Sequence, residues 1–70
     1  MSNDTIGEKL KEVRAASGLS QAQLGKKINV SQQTINSWEQ GKRKPKAEAR
    51  NKIAVACGVD KDTLLLILTL

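Results

Sequence analysis

The sequence predicts an all-α fold, and three observations carry that expectation. Apolar residues recur at helical spacing in short blocks, and most blocks open on a residue able to cap a helix and close on Gly or Asn. The apolar side chains are almost wholly aliphatic, with eight Leu, five Ile, four Val and seven Ala against a single Trp38 and no Phe or Tyr. That mix favours helix. At 70 residues the chain is expected to form one small domain.

The first helix is expected from Ile6, Leu10 and Val13, at i, i+4 and i+7, with Asp4 or Thr5 as N-cap and Gly18 as the stop. Ser20 and Gln23 have capping-box spacing, so a second helix starts there. Leu24 and Ile28 form its apolar edge, and Asn29, which tolerates a left-handed backbone, ends it. Ser31 caps a third helix whose inner face carries Ile35 and Trp38 and which ends near Gly41. The fourth begins around Pro45, a residue tolerated in a first helical turn, and puts Ala49, Ile53, Ala56 and Cys57 on one face before Gly58. Asp60 caps a fifth through Leu64, Ile67 and Leu68, with Asp62 near the positive end of the helix dipole. By composition the run from Leu64 to Leu70 also suits a strand, and periodicity does not choose between the two.

Composition removes most chemistry. Without His there is no Ser-His-Asp triad, no Cys-His dyad and no imidazole metal site, and Cys57 stands alone, so neither an internal disulfide nor a cysteine zinc cluster is available. The expectation is a protein that is not an enzyme and takes no cofactor, metal or small-molecule substrate. No signal-peptide pattern is visible at the N-terminus, and the longest apolar run, Leu64 to Leu68, is too short to span a bilayer. A cytoplasmic protein with no membrane partner is expected.

Twelve Lys and Arg against seven Asp and Glu leave a formal net charge of +5 and a pI near 9.7. That balance points to a polyanionic partner. Lys42, Arg43, Lys44 and Lys46 crowd around Pro45 and so decorate a loop. The second and third helices, joined by a turn of a few residues, have the outline of a helix-turn-helix. In such a pair the second helix enters the major groove of DNA and presents its N-terminal side chains to base edges. Ser31, Gln32, Gln33 and Thr34 occupy that N-terminus. A Gln amide both donates to and accepts from adenine, and Thr hydrogen-bonds or touches a thymine methyl. Two solvated helix formers are the plainer reading of Gln32 and Gln33; a capped turn in a basic chain favours base contact.

Leu19-Ser20-Gln21 with Leu24, then Asn29-Val30-Ser31, Ile35, Trp38-Glu39, Gly41 and Pro45 resemble the Cro and phage-repressor type of helix-turn-helix domain, over Ile6 to about Leu65. The resemblance implies a compact five-helix, lambda-repressor-like domain over residues 1–70, with its helix-turn-helix at about 20–40. It further implies a homodimer that binds double-stranded operator DNA and represses transcription. Gln21 and Ser31 then match phosphate contacts, Gln32 and Gln33 base-reading positions, and Thr34, Asn36 and Ser37 secondary base contacts. Lys42, Arg43 and Lys44 fall where the family touches the DNA backbone, and Arg14 and Glu39 match a pair that ties helix one to the end of helix three.

Three positions depart from the family pattern. Asn29 stands where Gly is usual, Gly25 where Ala is common, and Arg50 where Leu is usual. Arg50 is expected to lay its stem over the core. If Leu64, Ile67 and Leu68 close the core, Leu66 and Leu70 face outward, which makes them the expected dimer interface. An antitoxin or a restriction-modification controller of the same fold is the alternative within DNA binding. A protein-binding adaptor docking through the apolar C-terminus is the alternative outside it.

Overall fold

The computed structural model describes residues 5–69, which form five helices: α1 (Thr5–Ala16), α2 (Gln21–Ile28), α3 (Gln32–Glu39), α4 (Ala47–Cys57) and α5 (Lys61–Thr69). Asp4 and Leu70, expected as a cap and an interface residue, lie outside the described residues, as do the side chains of Thr5 and Ile67.

Local signals explain most boundaries. Ser20 Oγ accepts from the Gln23 N–H at 3.0 Å while Gln23 Oε1 accepts from the Ser20 N–H at 2.8 Å, which is the expected capping box. Ser31 Oγ accepts from the Thr34 N–H at 3.1 Å, and Asp60 Oδ2 from the Asp62 N–H at 3.0 Å. Asn29 ends α2 in the left-handed region, at φ 63° and ψ 44°, and the following Val30 N–H returns to the Gly25 carbonyl at 2.8 Å. Asn thus performs the task that Gly performs in the family pattern.

One expectation changes and one open alternative closes. Helix α4 starts at Ala47 rather than around Pro45: Lys46 holds the extended N-cap conformation, and buried Pro45 precedes the helix instead of opening it. The C-terminal run is helical, since α5 sinks Leu64 and Leu68 into the core with 1% and 3% exposure. Burial of one helical stripe decides what composition alone left open.

The core comprises Leu10, Leu24, Ile28, Ile35, Trp38, Ile53, Ala54, Leu64 and Leu68. Helix α1 packs on α3 and α5, α2 on α3 and α4, and α4 on α5. Gly7 lets α1 approach the end of α3: a Cβ there would stand 2.4 Å from the Glu39 carbonyl oxygen. Gly25 has the same role at the turn, where a Cβ would stand 2.6 Å from the Val30 carbonyl oxygen. Trp38 is spent on this core and offers no ring to a nucleic acid base.

Candidate nucleic-acid interface

Three residues, Asn29 to Ser31, separate α2 from α3. Because Ser31 caps α3, Gln32 and Gln33 begin the helix directly after the turn, and both are exposed. Thr34 is half-buried, and its hydroxyl lies 2.9 Å from Ser31 Oγ. Gln21, Gln32, Gln33 and Asn36 line one open polar depression between the starts of α2 and α3. Ser37, also half-buried, sits further along α3 and turns its carbonyl to the following loop.

A hydrogen-bonded chain runs from the core to this depression. Arg14 Nε donates to Glu39 Oε2 at 2.6 Å and Arg14 Nη2 to Glu39 Oε1 at 3.2 Å, while Arg14 Nη1 reaches the Leu19 carbonyl at 2.8 Å. The same Glu39 Oε1 accepts from Gln21 Nε2 at 2.9 Å, and Gln21 Nε2 also donates to Asn36 Oδ1 at 3.2 Å. Both hydrogens of the Gln21 amide are therefore committed, because a carboxylate only accepts. Asn36 spends its oxygen on Gln21 and keeps Nδ2 as a donor. A phosphate contact by the Gln21 side chain requires one of these bonds to be exchanged.

The loop beyond α3 is pinned at both ends. Gly41, at φ 78°, lets the chain double back so that its N–H reaches the Trp38 carbonyl at 3.2 Å and the Lys42 N–H reaches the Ser37 carbonyl at 3.0 Å. At the other end Arg50 Nη1 donates to the Pro45 carbonyl at 3.0 Å. The departure from Leu at position 50 thus supplies a latch, and Arg50 lines a cleft with Ile6, Lys44, Pro45, Leu65 and Leu68. Along this loop Lys42, Arg43 and Lys44 are all exposed.

Leu66, expected at a dimer interface, is 62% exposed, as its place on the outer side of α5 requires. Sequence reasoning missed the polar chain linking Glu39, Gln21 and Asn36, whose members lie far apart in sequence and carry no local signal. No group of His, Cys, Asp and Glu suited to a metal occurs among the described residues. No described helix is long and apolar enough to cross a membrane.

The chain is 38% identical over 60 residues to the HTH-type transcriptional activator BcrR of Enterococcus faecalis, covering 86% of this chain. It spans only 29% of that activator's length. It is also 47% identical over 51 residues to an uncharacterized HTH-type transcriptional regulator of Methanocaldococcus jannaschii, MJ0272, over 73% of this chain and 77% of that protein. Among solved structures, the clp gene regulator ClgR from Corynebacterium glutamicum superposes with a TM-score of 0.83 over 96% of this chain and 87% of its own, at 21% identity. That likeness concerns the fold. A helix-turn-helix family model matches residues 10–64, the span from α1 to α5. The chain belongs to the helix-turn-helix family, of the Cro and phage-repressor type.

Proposed function

We propose that this protein is a sequence-specific DNA-binding transcriptional regulator, acting through residues 1–70 as one domain, that represses by occupying a double-stranded operator as a homodimer. The observation that carries this reading is the pairing of an exposed polar start to α3, Gln32 and Gln33, with a pinned basic loop beyond its end. Helix α3 lies in the major groove, where Gln32 and Gln33 read base edges and Thr34, Asn36 and Ser37 add secondary contacts. Gln21, Ser31, Lys42, Arg43 and Lys44 hold the phosphate backbone, setting register without reading sequence. Leu66 and Leu70 join two copies. The protein works in the cytoplasm without catalysis, cofactor or small-molecule substrate.

The activator among its relatives favours a second reading, in which the bound domain promotes transcription. Selection of sites from a randomised duplex pool tests DNA recognition, and a reporter carrying the selected site separates repression from activation. A two-fold symmetric consensus is expected, with half-sites one helical turn apart. Enrichment of no sequence overturns the reading in favour of an adaptor, while a consensus adjoining a toxin or restriction gene identifies an antitoxin or controller.

A further inference from the structure

The basic surface continues past the loop. On the flank of α3 that faces α4, Thr34 shares a depression with Arg43, Lys44, Lys46 and Lys52. A neighbouring groove between the end of α2 and α4 is lined by Lys27, Asn29, Asn51 and again Lys52. Ile28 and Lys52 belong to both, so the two surfaces adjoin. Together they gather five cations, Lys27, Arg43, Lys44, Lys46 and Lys52, against one carboxylate, Glu48.

All five are exposed, and no ion pair engages them among the described residues. The other carboxylates among the described residues lie elsewhere: Glu39 is tied to Arg14, Glu8 and Glu12 are on α1, and Asp60 and Asp62 are at the start of α5. Charges serving solubility alone intersperse both signs, whereas these concentrate one sign on adjoining concave surfaces next to the turn. An extended polyanion neutralises several of these charges at once, and duplex DNA carries one charge about every 1.7 Å of its axis.

We propose that Lys27, Lys46 and Lys52 form a second phosphate-binding strip that follows the DNA backbone from the α3–α4 loop along α4 to the end of α2. The strip rests on the DNA-binding reading above and extends its footprint to α4 and to the far end of α2, whose start carries Gln21. Lys46 is adjacent to the basic loop in sequence. Lys27 and Lys52 are brought to it only by the packing of α2 on α4.

The test is binding of the whole chain to a fluorescently labelled random-sequence duplex, followed by anisotropy across a series of salt concentrations. Lys27→Ala and Lys52→Ala are each expected to reduce the slope of log affinity against log salt by about 0.9, and the double variant by about twice that. Lys61→Ala, on α5 and lining neither surface, should leave the slope unchanged. Thermal melting checks that each variant folds, and Lys27→Gln and Lys52→Gln, with longer side chains, replace any alanine variant that melts early. Unchanged slopes at Lys27 and Lys52 alongside a reduced slope for Lys44→Ala overturn the strip and leave the DNA reading standing. Absence of salt-dependent duplex binding by the unmodified chain overturns both.

Discussion

Arg14 Nε lies 2.6 Å from Glu39 Oε2, with only 12% of the Arg14 side chain and 3% of the Glu39 side chain exposed to solvent. The pair joins α1 to the end of α3, and through Gln21 it reaches the depression that holds Gln32 and Gln33. Breaking a buried pair by removing one partner costs about 3–5 kcal/mol, because the other charge stays desolvated. A chain of this size has a total stability on the order of 4–10 kcal/mol. Glu39→Ala is therefore expected to lower the thermal midpoint steeply, as measured by circular dichroism. An unchanged midpoint contradicts the burial of the pair.

Gly7 sets a second requirement at the same junction. Alanine raises helix propensity by up to about 1 kcal/mol over glycine. Here, however, the added Cβ would meet the Glu39 carbonyl oxygen at 2.4 Å and the Trp38 carbonyl oxygen at 2.8 Å, both backbone atoms that no rotamer change can move. Forcing α1 outward costs about 1–3 kcal/mol, so Gly7→Ala should be destabilising on balance. Urea unfolding checks this: the midpoint falls, with little change in slope. A raised midpoint means that α1 does not sit against the α3 backbone.

Most of the architecture was legible because its signals are local. Ser20 with Gln23, Ser31, Asn29 and Gly41 mark helix ends through contacts with residues no more than five positions away, and the apolar blocks between them identify inner faces. What sequence could not show depends on residues far apart in the chain. Gly7 against Glu39, Gln21 between Asn36 and Glu39, and Lys27 beside Lys52 are products of packing. Pro45 misled the start of α4 because a proline suits both the first helical turn and the residues just before it; its burial and its bond from Arg50 place it before.

The Arg50 latch makes its own prediction. Arg50→Leu installs the residue usual in the family pattern, which preserves apolar cover on the cleft beside Leu65 and Leu68. Stability should change by less than about 1.5 kcal/mol, as for a tolerated core exchange. The released loop should show faster amide hydrogen exchange at Lys42 and Arg43, whose N–H groups bond the Ser37 carbonyl. Exchange rates equal to those of the unmodified chain contradict the latch.

Dimerisation is tested through α5. Leu65 and Leu66 are 47% and 62% exposed, an apolar surface suited to a second copy. Sedimentation should detect a concentration-dependent dimer that Leu66→Lys disrupts without lowering the thermal midpoint of the monomer. A monomeric mass at high micromolar concentration, the same for both chains, counts against a preformed dimer.

In the proposed complex the start of α3 reads bases while the loop beyond it holds the backbone, and Gln33→Ala compared on the selected operator and on random duplex separates the two roles. Loss of a bidentate base contact removes about 1–3 kcal/mol of discrimination, so binding to the operator should weaken while binding to random DNA stays nearly constant. Lys44→Ala should weaken both alike and lower the salt slope by about 0.9. Equal weakening of operator and random duplex by Gln33→Ala, with the preferred sequence unchanged, would contradict base reading by α3.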